Sequence, residues 1–327
     1  KAAKPLRVER ARTLSAPRWN YSLSECNNLV LDRPESRIGN RRWRQAEEVL
    51  RVDLAVRKHG KIPERHWSMI QPWATKRREN PPSIPVALRY HLRVDSIPSG
   101  DVFIALECPD LWDARLNGCL LNTDTDCGWW TDKSLRKIRV PPSLFRGGDN
   151  ELLLRCNYDE NHPGLETVFL LGNFGVKVKG ADAVVTGLPS TLRPGSWVGQ
   201  SLAFYSGSVT YLRRVKLAVK GKERLFVRAT DFDGVAVRVW VNGRVAGTAG
   251  WEPYEVEITE LCEGETALLG IEVLGHRRNS HGPLHHTTRD IQFFGPDQFM
   301  STGREWSDAY QLVPVGLKGS PKLVWKR

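Results

Sequence analysis

From Ile84 onward, Gly, Pro, Asn and Asp cut the chain into short apolar runs at intervals of about ten residues, the texture of antiparallel β-sandwiches. Val86–Val94, Val102–Glu107, Leu135–Val140 and Glu151–Asn157 are runs of this kind. The texture returns at Val209–Val219, Arg224–Ala229, Ala236–Val241, Tyr254–Ile258 and Ala267–Leu274. Helical periodicity is almost absent from both stretches, so an all-β architecture is expected.

The two stretches also match in order and spacing. In the first, a strand at Val102–Glu107 is followed by Ala114-Arg-Leu-Asn-Gly118, then Gly128-Trp129, then Leu144-Phe-Arg-Gly-Gly148 and a last strand, Glu151–Cys156. The second runs through Leu225–Ala229, Val239-Trp-Val-Asn-Gly243, Gly250-Trp251, Leu261-Cys-Glu-Gly264 and Ala267–Val273. The landmarks are offset by 125 residues at Asn-Gly, 122 at Gly-Trp and 116 at the last Gly, a small drift for unpatterned loops. The pattern predicts a tandem duplication of one β-sandwich. Asn117-Gly118 and Asn242-Gly243 are expected to close hairpins, because such turns need positive φ at both central residues. Leu144 and Leu261 each precede a glycine that ends a turn.

The remaining quarter has a different character. Trp19–Leu23 and Asn28–Asp32 read as extended segments, and Trp43 to Lys58 places Trp43, Ala46, Leu50 and Leu54 near one helical face. One helix is expected there, ending before Gly60, followed by a connector punctuated by Pro63, Pro72 and Pro82. The chain carries 48 basic and 37 acidic residues, and residues 1–80 hold 19 and 9 of them. The excess is therefore +10 in the first quarter, −2 over 81–180 and +3 over 181–327. A basic stretch of this kind can bind phosphate backbones, but no recognition helix, zinc finger or aromatic RNA-binding signature accompanies it. Nucleic acid is not the expected partner; a solvated face, or one docked on an acidic neighbour, accounts for the charge. No run of about 18 apolar residues is present, so no membrane-spanning helix is expected. The chain opens with Lys1 rather than Met, which suits a processed chain or a fragment.

The repeated motifs resemble the galactose-binding-like jelly-roll modules carried by large glycoside hydrolases, of the family 2 type and the α-L-rhamnosidase-like type. Val239-Trp-Val-Asn-Gly243, Trp251-Glu-Pro-Tyr254, Glu255-Val-Glu-Ile-Thr259 and Leu261-Cys-Glu-Gly264 carry the resemblance. Phe169–Val176, Phe204–Tyr211, His276–Pro283 and Tyr310–Gly316 look like the same C-terminal regions. The likeness covers about residues 84–317. It implies two tandem galactose-binding-like jelly-roll β-sandwiches, at 84–181 and 182–317, with a mixed leader over 1–83 and a tail over 318–327. Such hydrolases work on a (β/α)₈ barrel with two opposed carboxylates. No alternation of parallel strands and helices occurs here, so no catalytic residue is expected. The chain reads as the accessory C-terminal portion of a polysaccharide-degrading enzyme that binds carbohydrate or braces the catalytic barrel. A stand-alone glycan-binding adhesion or structural module and a complete glycosidase are the alternatives, and an exported location is favoured over the cytoplasm without being decided.

Within that frame the candidate contacts fall in three places. Trp129, Trp130 and Asp132 lie in an acidic loop, where indole faces beside carboxylates suit a sugar; a Trp after a turn equally suits a lid on the core. Trp251 and Tyr254 occupy the equivalent place in the second copy, as ligand contacts or as packing around Pro253. Arg277, Arg278, Asn279 and His281, with His285 and His286, form the densest polar cluster. They offer forked donors for an acidic sugar or a wall for a neighbouring active site. Pinning of a long loop to backbone carbonyls is the plainer role. Paired histidines also suit a metal, but Asp290 is the only carboxylate near ligand spacing.

No cofactor is expected. Structural calcium on Asp124 and Asp126 competes with an Asx turn, and the EF-hand pattern fails because Gly128 comes one place late and Lys133 stands where a Glu is needed. Ser206-Gly-Ser208 lacks a nucleophile elbow's context. The six cysteines show no Cys-x-x-Cys pair; Cys108 and Cys156 lie in apolar runs, and Cys119 and Cys127 flank a turn across which they could pair.

Overall fold

A computed structural model describes residues 6–64, 77–288 and 295–327. Asp290, and the part of the expected connector that holds Pro72, lie outside the described residues. The chain is mostly β-strand, in open sheets with a few short helices. It divides into two compact units, each discontinuous in sequence: Asn27–Leu188 with Gly282–Gln311, and Lys1–Cys26 with Pro189–His281 and Leu312–Arg327. The first holds the first set of repeated landmarks and the second holds the other.

In the first-repeat unit, Ile84–Val94 pairs along its whole length with Gly148–Tyr158, from Val94↔Gly148 to Ile84↔Tyr158. Strict alternation fixes that register. Leu88, Tyr90, Leu92 and Val94 are buried while His91 and Arg93 face solvent, and a slip of one residue would exchange the two sets. Asp113–Leu116 extends this sheet beside Gly148–Tyr158, and Glu35–Ile38 lies antiparallel along Ile84–Val94. The second sheet runs in the order Asn27–Leu31, Val168–Asn173, Ser99–Glu107, Asp132–Val140, Trp129–Trp130. Its Asn27–Leu31 strand is buried at every position, as is Val168–Gly172, because both strands are covered on both faces.

The second-repeat unit uses the same connectivity. Thr266–Leu274 lies between Val209–Lys216 and Ala236–Val241, as Gly148–Tyr158 lies between Ile84–Val94 and Asp113–Leu116. Arg224–Arg228 pairs with Glu255–Glu257 and with Lys322–Lys326, as Ser99–Glu107 pairs with Asp132–Val140 and Val168–Asn173. Two pairs of strands from the first quarter complete the sheets. Val8–Thr13 and Asn20–Leu23 join the second-repeat unit, and Asn27–Leu31 and Glu35–Ile38 join the first.

The Asn-Gly turns are hairpins of the expected kind. Asn117 and Gly118 have φ of 51° and 84°, Asn242 and Gly243 have 50° and 80°, and the flanking residues pair as Leu116↔Cys119 and Val241↔Arg244. In each, the Asn side-chain oxygen accepts a backbone N–H from the unit's long central strand, Glu151 at 3.0 Å and Leu268 at 2.9 Å.

Three local expectations are corrected. The helix spans Val49–Gly60 rather than starting at Trp43, because the Glu48 carboxylate caps it by accepting the Arg51 N–H at 3.1 Å. Its buried face is Val49, Val52 and Val56, not Leu50 and Leu54, and Lys61 in the left-handed region ends it one residue past Gly60. The strand from Val209 stops at Lys216 instead of Val219. No disulfide joins Cys119 to Cys127 or any other pair of cysteines.

Candidate functional site

In the first-repeat unit a cavity of about 440 Å³ opens beside the start of the Val49–Gly60 helix. The segment entering the helix supplies Arg44, Glu47 and Glu48, the first helical turn supplies Arg51, the end of the Asn27–Leu31 strand leads to Arg33, and a distant loop supplies Trp306 and Asp308. Two ion pairs lie among the lining residues, Arg33 to Asp308 at 2.9 Å and Arg44 to Glu47 at 3.0 Å. Asp308 also accepts the Trp306 indole N–H at 2.9 Å; that bond, followed by the Arg33 charge, holds its carboxyl below the usual range.

Arg51 makes no direct ion pair among the described residues, although its charge acts on the nearby Glu48 carboxyl. Its guanidinium lies 4.0 Å over the Trp306 ring and donates to the Ser301 carbonyl. The buried Nε atoms of Arg33 and Arg51 have no hydrogen-bond acceptor among the described residues. The cavity is therefore lined by both guanidinium and carboxyl groups. Glu48 is the deepest acid. Burial pushes its carboxyl up to about 8, helped by the neighbouring Asp32 charge and opposed by the backbone N–H groups of Leu50 and Arg51.

Behind the indole stands a second layer. The ring of His285 lies between Trp306, 4.9 Å away, and Tyr310, 5.0 Å away. Its Nε2 meets Asp32 at 3.1 Å and its Nδ1 meets the Ser307 carbonyl at 2.9 Å. The two ring nitrogens are thus both engaged, one by the Asp32 carboxyl and one by a backbone carbonyl. Asp32 also accepts the Tyr310 hydroxyl at 2.9 Å. Burial first, then the Asp32 and Glu48 charges, drive the Tyr90 phenol upward; burial and Asp32 do the same to Tyr310.

The structure separates the residues singled out in the sequence. His285 and His286 belong to this unit, and His286 is buried, bridged through its backbone to Trp306. The rest of that cluster lies in the second-repeat unit. There Arg277 makes a forked pair with Glu25, its second bond at 2.7 Å. Asn279 clamps Val313 through its N–H and carbonyl, at 2.9 and 2.8 Å. His281 meets the Ser280 hydroxyl at 2.7 Å. Burial lowers the affinity of half-buried Arg278 for its proton, and of His276 for its own.

Trp130 is 7% exposed and packs edge-on against Phe169, whereas Trp129 is 49% exposed and Asp132 turns back to cap the Ser134 N–H. Trp251 is 82% exposed, and Tyr254 packs edge-on against Phe232. Asp126 accepts the Gly128 N–H at 2.7 Å and pairs with Arg136, while the Asn122 side chain accepts the Asp124 N–H at 3.0 Å. These are Asx-turn contacts. Among the described residues no three His, Cys, Asp or Glu side chains converge as a metal site.

Sequence reasoning missed Arg33, Glu48, Arg51 and Trp306. The one local signal was an acid immediately before an apolar helix, at Glu48; nothing in the sequence ties Trp306 to a helix some 250 residues earlier.

Two units of open, mostly antiparallel sheet, one of them with a polar cavity beside a helix start, define an all-β, sandwich-like protein. No protein-family model and no curated protein matches the chain. Among solved structures it is similar to a rhamnosidase from Novosphingobium sp. PP1Y, at 17% identity and a TM-score of 0.32, over 76% of this chain and 23% of that one. It is similar to a beta-D-mannosidase from Dictyoglomus thermophilum, at 14% identity and 0.29, over 76% and 31%. It is similar to a Bifidobacterium dentium beta-glucuronidase, at 19% identity and 0.29, over 47% and 28%. The matched region is less than a third of the length of each of these solved chains. Among the described residues no helix is long and apolar enough to cross a membrane.

Proposed function

We propose that this chain is a carbohydrate-binding accessory region of a polysaccharide-degrading glycoside hydrolase, built from two galactose-binding-like jelly rolls whose repeated cores lie in 84–181 and 182–317. The shared connectivity of the two units and the repeated Asn-Gly, Gly-Trp and Leu-x-x-Gly landmarks support the jelly-roll reading. The cavity at Arg33, Arg44, Glu47, Glu48, Arg51 and Trp306 carries the functional one. Neighbouring hydroxyls of a pyranose each offer a donor and an acceptor, and guanidinium and carboxylate forks match such pairs. The accessory region holds carbohydrate or braces a catalytic barrel, and polymer degradation favours an exported location.

A glycan array on the full chain, followed by calorimetry with the best oligosaccharide, tests this reading. Arg44 and Glu47 are 42% and 39% exposed, so Arg44→Ala and Glu47→Ala leave the fold intact. Each is expected to weaken binding about tenfold, the worth of one charge-assisted hydrogen bond. Failure of every glycan to bind, or binding indifferent to both substitutions, refutes the reading. Turnover of aryl glycosides by this chain alone would overturn the accessory role.

A further inference from the structure

The second-repeat unit holds a separate feature that the proposed function does not use. One cavity of about 480 Å³ has Arg18, Arg213 and Arg214 around Trp19, Leu212 and Leu268. A second, of about 250 Å³, shares Arg213 and Arg214 and adds Arg12 and Lys216. Among the described residues no carboxylate lines either cavity. Elsewhere in the same unit several arginines face acids: Arg10 meets Glu223, Arg224 meets Glu257, Arg228 meets Glu255, Arg238 meets Glu272 and Arg277 meets Glu25. The five cations of the cavities make no ion pair among the described residues.

Neutral contacts hold three of them in place. Arg213 donates to the Ser15 carbonyl at 2.6 Å with its guanidinium 5.7 Å from the Trp19 ring centre, Arg12 donates to the Lys216 carbonyl at 2.5 Å, and Arg18 donates to the Thr191 hydroxyl at 3.3 Å. Each guanidinium keeps further N–H donors, and the positive charge is uncompensated. Trp19 is 2% exposed and packs edge-on against Tyr211, so it provides an apolar floor and no platform on which a base could stack.

We propose that these adjoining cavities bind an acidic polysaccharide, with its sulfate or carboxylate groups held by Arg12, Arg18, Arg213, Arg214 and Lys216 and a sugar ring lying over the apolar floor. Concave walls of one charge above a hydrophobic base fit an anionic sugar better than a phosphate backbone whose bases need aromatic faces. The site is independent of the cavity beside the Val49–Gly60 helix, and its test does not depend on that cavity binding anything.

The test measures binding of the full chain to dextran sulfate, polygalacturonate, uncharged dextran and a single-stranded DNA oligonucleotide. Dextran sulfate or polygalacturonate is expected to bind, dextran is not, and affinity falls steeply with added salt. The double variant Arg18→Glu/Arg214→Glu, at exposed positions, is expected to weaken that binding more than about tenfold. Arg18→Gln/Arg214→Gln serves the same purpose should charge reversal impair folding. Lys177→Glu/Lys179→Glu makes the same change in net charge on exposed positions of the other unit and is expected to leave affinity within about twofold of the parent. Equal loss in both double variants would mean that net charge alone attracts the polymer, and overturns the site. DNA binding as tight as dextran sulfate, or no binding of either acidic glycan, overturns it too.

Discussion

The Asp32 carboxylate faces the Nε2 of His285 at 3.1 Å, with side chains only 7% and 3% exposed, so the pair sits in a low-dielectric interior where each depends on the other. Asp32 also accepts the Tyr310 hydroxyl. Asp32→Ala removes a buried partner shared by the His285 ring and the Tyr310 hydroxyl. A loss of about 3–5 kcal/mol in unfolding free energy is expected. Urea unfolding measures it, and a change below about 1 kcal/mol would show that the network contributes little.

Glu48 gives the fold a pH dependence with a definite sign. Its carboxyl rises from 4.5 to about 8 on folding, so the folded protein binds this proton more tightly than the unfolded chain. The contribution is full below 4.5, declines as pH climbs through the window from 4.5 to about 8, and is gone above it, a cost on the order of a few kcal/mol. Glu48→Gln keeps a carbonyl for the Arg51 N–H and cannot ionise. Thermal unfolding across that window should show a flatter pH profile for the variant, and an unchanged slope would contradict the assignment.

Two adjacent tryptophans should behave oppositely. Trp130 closes the core against Phe169, and Trp130→Ala should cost about 3–5 kcal/mol. Trp129 is half exposed, and Trp129→Ala should stay within about 0.5 kcal/mol. Parallel denaturant titrations decide, and equal losses would mean that the packing of Trp130 is not what supports the core there.

The equivalent hairpin asparagines differ in how much they hold. Asn117 donates to Leu144 and Asn150, both at 2.8 Å, and accepts from Glu151, whereas the Asn242 side chain accepts from Leu268. Replacement of each by Gly preserves the positive φ and removes only the side-chain bonds. Asn117→Gly is expected to cost about 2 kcal/mol and Asn242→Gly about 1 kcal/mol. A reversed order in unfolding experiments would refute the comparison.

Much of the fold was legible because it rests on local rules. Alternation of Leu88, Tyr90 and Leu92 with Arg89, His91 and Arg93 marks a strand with one buried face wherever its partner lies. The Asn-Gly pairs specify their own turns through backbone conformation alone. The helix boundary was displaced because Trp43 and Ala46 mimic a helical face, while a single capping carboxylate at Glu48 sets where the helix begins.

The sequence by itself determined the strands, the hairpins and the repeated order, since each follows from side-chain periodicity and φ preferences within a few residues. Only the tertiary structure decided which sheets receive Val8–Thr13, Asn20–Leu23, Asn27–Leu31 and Glu35–Ile38, because an exposed sheet edge accepts any strand that satisfies its backbone hydrogen bonds. The same holds for the cavity of Arg33, Arg51 and Trp306 and for the cations around Trp19. Their charges and rings come from segments far apart along the chain, and long-range packing brings them within reach of one another.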